Sequence, residues 1–286
     1  MRFLLLVLIS FHFTATHAYT SFRGPVSSAM GGTGRAGMSS GEGAFLNPAV
    51  IPLIKNYEFI SYYRDGYIDE GQHRQGWALG AVDNSEGVLF PGSLHYIRTR
   101  DTGKANNPAN GEIWHASGAY LVSDRLSVGG TFYYAKYSID GEPKYEQWSG
   151  GLGTVVLVNE DLAFAYVVNN IGKPGSDMPL ALRENLEQGL GVFWRFAPLA
   201  TMRADVTRRE ELNPDKKLIY MTGVESAFNE FGVFRIGFRR DEQADAKIWT
   251  AGMGFNGPRM RFDYSVEKNE ERTSGALHSV DMRIPF

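Results

Sequence analysis

The 286-residue chain has no cysteine, which excludes disulfide staples, thiolate metal sites and thiol nucleophiles. It carries little net charge: 29 Lys and Arg stand against 32 Asp and Glu, a formal −3 at pH 7. No strong positive field is available to hold nucleic acid. Long hydrophobic runs are missing as well. No apolar stretch approaches the roughly 18 residues of a membrane helix, and a mean hydropathy of −0.26 is too polar for a helical bundle. These absences leave a transmembrane β-barrel open, because half of each barrel strand faces a polar lumen.

Residues 1–18 have the form of a secretory signal. Arg2 precedes the apolar run Phe3 to Phe11, and small residues follow, ending Thr16-His17-Ala18, so cleavage is expected after Ala18. As a helix that run would span about 14 Å against a bilayer core of roughly 30 Å, too short for an anchor. The stretch 19–55 is rich in Gly, Ser and other small residues. Within it Gly32-Thr33-Gly34-Arg35-Ala36-Gly37 fits the dinucleotide-binding pattern G-x-G-x-x-G. That pattern has meaning only between a buried strand and a helix, and neither flanks it here. The composition suits a tightly turning segment packed against something larger.

From Tyr57 to the last residue the period is two. Met260, Phe262, Tyr264 and Val266 alternate with Arg261, Asp263, Ser265 and Glu267; Phe234, Ile236 and Phe238 alternate with Arg235, Gly237 and Arg239; Val280, Met282, Ile284 and Phe286 alternate with Ser279, Asp281 and Arg283. Helical periodicity is nearly absent. Strands are predicted near 57–67, 75–83, 88–99, 112–122, 126–138, 147–158, 162–169, 186–196, 201–209, 217–226, 232–240, 246–255, 260–268 and 277–286. The fold class is therefore all-β, a single antiparallel transmembrane barrel of about 14 strands over 56–286. Twelve strands is the other possible count, and a secreted sandwich is the soluble alternative. Aromatic residues recur along the strands and near their ends (Tyr62, Tyr63, Trp77, Tyr133, Tyr134, Trp194, Trp249, Tyr264), as interfacial girdles require. The terminal Phe286 has the form of an outer-membrane assembly signal.

The predicted lumen face is polar and mixed in sign: Arg203, Asp205, Glu225, Arg235, Arg239, Arg261, Asp263, Asp281 and Arg283. With Arg35 and Glu42 of the N-terminal segment, these are candidates for a polar passage or a latch. Mixed signs at similar depth favour pairing across strands over a selectivity ring. Catalysis has no support. His278 and Ser279 are consecutive and point to opposite faces of their strand. His73, His95 and His115 are placed in or near the rims, without acidic partners at a telling spacing. No H-E-x-x-H motif occurs. No metal or cofactor is expected.

Ser28-Ala29-Met30-Gly31-Gly32-Thr33-Gly34-Arg35-Ala36, followed by Ala44-Phe45-Leu46-Asn47-Pro48-Ala49, resembles the N-terminal signature of FadL-like outer-membrane barrels, a group that includes PorV-like proteins. Gly223-Val224-Glu225, Phe234-Arg235-Ile236-Gly237, Gly252-Met253-Gly254 and Phe262-Asp263-Tyr264 are similar to the PorV-like branch. The resemblance implies a fourteen-stranded barrel in the bacterial outer membrane with 19–55 as an internal plug. Met30, Gly31, Gly32, Gly34, Asn47, Pro48 and Ala49 carry the plug signature. It also implies passive uptake of small hydrophobic molecules, with lipid, a small hydrophobic ligand or detergent, and the assembly machinery as partners. The alternative is a non-conducting scaffold that docks a protein partner. About six residues remain per connection, too few for long surface loops; 99–112 and 169–186 are the longest. A lateral gap would need a strand that bends or lacks ladder bonds, and Gly-rich positions such as Gly150-Gly151-Leu152-Gly153 are the place to look for one.

Overall fold

A computed structural model of the chain describes residues 22–37, 40–54, 57–69, 72–102, 108–179, 182–210, 218–271 and 275–286. The signal reading for 1–18 lies outside the described residues. The strands are β1 (Glu58–Asp69), β2 (Gln72–Asp83), β3 (Gly92–Thr102), β4 (Pro108–Ser123), β5 (Leu126–Ile139), β6 (Tyr145–Leu157), β7 (Leu162–Asn169), β8 (Glu187–Ala197), β9 (Ala200–Arg209), β10 (Leu218–Ala227), β11 (Gly232–Asp241), β12 (Ala246–Asn256), β13 (Arg261–Asn269) and β14 (Leu277–Pro285). Each pairs antiparallel with its chain neighbour, and β14 returns to β1, with Asp281 opposite Tyr62, to close a fourteen-stranded barrel. Both ends of the barrel sequence lie at one end of the cylinder, the terminal end.

The two-residue period sets which side chains meet the bilayer. In β11, Phe234 and Ile236 are 53% and 65% exposed while Arg235 between them is 2% exposed. Leu94, Phe132, Trp148, Leu152, Leu190 and Trp249 continue this outward apolar surface around the barrel. Such a belt is far larger than a soluble monomer exposes and is the surface a membrane barrel offers to lipid. No described helix is long and apolar enough to cross a membrane. Two predicted girdle residues face the other way: Tyr62 and Tyr133 are buried inside. Each is adjacent to another Tyr, and consecutive strand residues point to opposite faces, so only Tyr63 and Tyr134 of the two pairs face outward.

Residues 22–37 and 40–54 fill the interior. They form α1 (Pro25–Ala29), α2 (Gly43–Leu46) and a 3₁₀ turn at Pro48–Leu53. Pro25 stands at the start of α1, where a missing N–H costs nothing. Asn47 caps the 3₁₀ turn, its side chain accepting from the Ala49 amide at 3.0 Å.

The lumen has two unlike halves. Strands β8 to β14 present Arg203, Asp205, Arg235, Asp263, Asp281 and Arg283 inward, as expected, whereas β1 to β5 present Ile60, Tyr62, Ala78, Ile97, Ile113 and Tyr137 around His95 and His115, with Glu58, Arg64 and Arg74 also inside. This half is hidden in the sequence because its strands mix charged and apolar residues on both faces: Arg98 and Arg100 of β3 lie outward while Ile97 lies inward.

The connections also depart from the sequence-based map. Strands β3 and β4 run further than expected, so their link shrinks to 103–107, while 170–186 is a true long connection at the far end. It stands beside an interruption in the wall. β7 has only 8 residues, and its ladder with β6 stops at Gly151 opposite Asn169. Beyond that point β6 is met by the irregular segment. Ile171 N–H donates to Gly150 O at 3.0 Å, and Gly172 N–H to Ser149 Oγ at 3.0 Å. The β6–β7 ladder ends at Gly151, while Gly150–Gly153 stay paired with β5.

Candidate functional site

The N-terminal segment is keyed into the charged half by backbone approach and by ion pairs. Met30 and Gly31 lie against β10 and β11 where the wall has Gly223 and Gly237. A Cβ at Gly223 would stand 2.6 Å from Met30 Cβ, and one at Gly237 would overlap the Gly31 amide. Gly31 itself has φ 72°, a left-handed conformation that favours glycine. Thr250 Oγ1 completes the seat, accepting from Gly31 N–H and donating to Ala29 O, both at 2.9 Å. Asn47 and Pro48 occupy a second cleft, at Gly153 of β6. There Asn47 Nδ2 donates to Arg35 O at 2.8 Å and Thr154 O at 3.2 Å. Gly32 and Gly34 form the turn between these anchors, and Ala49 is fully buried.

Arg35 is wholly buried and spans two strands, donating to Glu187 Oε1 at 2.7 Å and Asp205 Oδ2 at 3.1 Å. Glu187 also receives Arg209 at 3.0 Å. Glu42 behaves differently. Its Oε1 accepts from Ser27 N–H at 2.6 Å within the same segment, and burial pushes its carboxyl up to about 7. A third charge, Arg23, is passed over by sequence reasoning. It is buried near Glu267 and Arg239, and burial lowers its guanidinium to about 9.

The remaining lumen candidates pair with one another. Glu225 receives Arg235 at 2.6 Å and Arg203 at 3.8 Å. Asp263 receives both Arg235 and Arg283, and Glu58 receives Arg261 at 3.5 Å and Arg283 at 3.6 Å. Arg239 binds Glu267 at 2.7 Å. Acids and bases are interleaved on the wall from β9 to β1 and pair across strands, an arrangement that neutralises itself rather than selecting ions. Phe286 sits at the rim, its amide donating to Tyr57 O at 2.9 Å.

On the apolar half the segment presents Phe22 and Phe45. The Phe45 ring lies 4.4 Å from His95, 5.0 Å from His115, 5.4 Å from Phe22 and 6.1 Å from Tyr62, centroid to centroid. His95 and His115 are therefore not rim residues. They face each other across β3 and β4 deep in the lumen. The sequence prediction misplaced them because the flanking aromatic and aliphatic residues mask the alternation. His73 does lie near the far rim and has an acidic partner, Asp65, at 3.1 Å. His278 faces outward and Ser279 inward, as expected.

Beside Phe45 is a cavity of about 50 Å³ lined by Ile113, His115, Tyr133, Gly150, Asn170 and Glu184 among others. It runs from Phe22 and Phe45 of the N-terminal segment to Asn169, where β7 ends. Asn170 and Glu184, from the connection after β7, line it. Glu184 accepts from Tyr137 Oη at 2.5 Å, its backbone binds both ends of the Gln147 amide, and burial raises its carboxyl above the ordinary range. Among the described residues no group of three or more His, Asp and Glu is placed to hold a metal.

No protein-family model matches the chain, and no curated protein matches it by sequence. Solved structures do. The CymD monoaromatic hydrocarbon channel superposes with a TM-score of 0.73 at 14% identity, covering 92% of this chain and 97% of that one. The chain shares its fold. The toluene transporter TodX of Pseudomonas putida gives 0.72 at 13% identity over 96% and 100% of the two chains. A Pseudomonas aeruginosa FadL homologue gives 0.66 at 11% identity over 95% and 100%. The FadL-type fold expected from the terminal motifs is the fold found.

Proposed function

We propose that the chain is an outer-membrane channel for passive uptake of small hydrophobic molecules, exported by residues 1–18, with residues 19–55 as its plug. The observation that carries this reading is the unequal lumen. An all-polar, self-paired interior would serve a sealed scaffold, but the middle of β1 to β5 lines its half with Ile60, Tyr62, Ala78, Ile97, Ile113 and Tyr137 around the two imidazoles. Against them lies a cavity that reaches the wall beside the short β7. A hydrophobic solute moving there stays out of water, which favours it by about 25 cal/mol per Å² of apolar surface. The neighbours named as monoaromatic hydrocarbon and toluene channels support the same reading.

The plug takes no part as a moving piston in this scheme. Its charged side is fixed by Arg35 and its backbone by the glycine clefts, so the solute passes along the apolar wall by displacing the Phe45 side chain and not the segment. Lipid is the partner of the outward belt. Phe286 is the element offered to the assembly machinery.

The test is uptake of radiolabelled toluene by cells whose outer leaflet is lipopolysaccharide, with and without the full-length protein. The protein in the outer-membrane fraction is checked for a gel shift on boiling. Faster uptake by the heat-modifiable protein is expected. A correctly assembled barrel that leaves the rate unchanged overturns transport and leaves the docking scaffold.

A further inference from the structure

We propose that the ring cage around Phe45 is a binding site for a neutral monocyclic aromatic solute bearing one hydrogen-bonding group, such as a phenol, which takes the place of the Phe45 ring. This inference rests on the transport reading and adds the class of solute to it.

The protein already shows what the cage accepts. Phe45, on the four-residue α2 of the plug, inserts a six-membered ring among His95, His115, Phe22 and Tyr62. It lies edge-to-face with Phe22, Tyr62 and His115, the geometry that aromatic quadrupoles favour. The plug thus acts as its own ligand. The fit is incomplete in one respect. Both ring nitrogens of His95 and Nδ1 of His115 are buried and have no hydrogen-bond partner among the described residues. A phenyl ring cannot supply a strong one, and buried polar groups are normally paired. A hydroxyl on a solute ring can donate to or accept from imidazole nitrogen. Exchanging Phe45 for such a ring keeps the stacking and satisfies a group left unpaired in the resting state.

Size points the same way. The adjoining cavity of about 50 Å³ is too small for a benzene-sized guest, which fills a cavity of roughly 150 Å³. With Phe45 seated, no ring fits. Swinging the Phe45 side chain to another rotamer merges its own volume with the cavity, while Asn47 and Pro48 stay anchored at Gly153. Glu184 lines the same space, which disfavours an anionic ring and selects a neutral one.

The chemistry yields a measurable preference. A site with buried hydrogen-bonding groups rejects an analogue that cannot pair with them, so a hydroxyl is expected to outbind an isosteric methyl by about tenfold or more. The experiment is calorimetric titration of the full-length protein in lipid nanodiscs with p-cresol and with p-xylene. The variants are His95→Leu/His115→Leu and Phe45→Ala. The expected result is an advantage of about tenfold for p-cresol in the natural protein. That advantage disappears in the double His variant, and both ligands bind more tightly once Phe45 no longer competes. If the double His variant fails to assemble, the wild-type ratio and Phe45→Ala decide. Equal affinities for p-cresol and p-xylene overturn the inference while leaving hydrophobic transport intact. Binding of neither ligand, to the natural protein or to Phe45→Ala, overturns both.

Discussion

The carboxylate of Asp205, on β9, accepts three donors from one point of the plug. The Gly34 amide donates at 2.9 Å, and the Arg35 amide and Arg35 Nη1 each at 3.1 Å, all to Oδ2. A side chain on the wall thereby fixes both the backbone and the guanidinium of a residue 170 positions away. This contact is the strongest single reason to regard the plug as anchored.

It leads to the first prediction. Arg35→Met leaves Asp205 without its guanidinium in a buried setting, and losing one member of a buried pair costs about 3–5 kcal/mol. The plug is expected to detach while the strands stay paired: trypsin cuts the N-terminal segment of folded protein, yet the gel shift on boiling survives. Arg35→Met/Asp205→Asn should recover part of the protection, since Glu187 keeps Arg209. No recovery would mean that the backbone contacts, and not the charge, hold the segment.

A second prediction separates close approach from charge. Gly237→Val places a side chain where the Gly31 amide lies, so the plug should unseat as it does in Arg35→Met. Gly118→Val is the control. Its Cβ would meet nothing within 4 Å on the outward face, and a β-branched residue suits a strand. Thermal midpoint and trypsin protection should fall for the first variant and stay level for the second. Equal behaviour would show that the wall glycines do not key the plug.

These contacts explain what was legible in the sequence. The strands were readable because one face of each had to be apolar for lipid, and in β11 and β13 the other face carried charge, so the period was unmistakable. All fourteen emerged near their observed positions. The charged lumen residues were readable for the same reason. The apolar half was not, because Ile97, Ile113 and Tyr137 face the lumen in strands where Arg98, Glu112 and Lys136 lie on the outward side, so polarity alone does not mark which face is inside. His95 and His115 were lost with it. Only their direct opposition, which depends on the register of β3 against β4, brings them together, and register is set by turn geometry that a list of residues does not display. The glycine clefts were equally silent. Gly223 and Gly237 read as weak strand residues until the plug is placed against them.

A third prediction concerns pH. Glu42 lies on the plug, outside the strands, facing Tyr62 together with Arg203, Arg235 and Arg283 of the wall. Burial raises its carboxyl from 4.5 to about 7 against the opposing pull of the Ser27 amide and these arginines. The docked state therefore binds the proton more tightly than the released one. Docking is strongest below about pH 4.5, weakens as pH rises toward 7, and is level above it. Trypsin protection of the plug should be greater at pH 5 than at pH 8. Glu42→Gln keeps an acceptor for the Ser27 amide but has no proton to lose, so its protection should be the same at both pH values. A pH dependence unchanged in Glu42→Gln would assign the effect to another group.

The last prediction addresses the wall above β7. Gln147 on β6 takes the part of a missing ladder there. Its Nε2 donates to Glu184 O at 3.1 Å, and its Oε1 accepts from Glu184 N–H at 3.3 Å. The side chain thus imitates a neighbouring strand for Glu184, which also lines the cavity. Gln147→Ala removes both bonds and leaves the Glu184 backbone groups unpaired, a local loss of about 1–3 kcal/mol. Hydrogen exchange should accelerate at Gly172 and Glu184, by about tenfold for each 1.4 kcal/mol lost, with little change at the paired amides of β5. If the solute leaves or enters through this part of the wall, toluene uptake rises in the same variant, because the local opening frequency sets the passage rate. Faster exchange at Glu184 with uptake unchanged would place the lateral route elsewhere and leave 170–186 as a cover for the cavity alone.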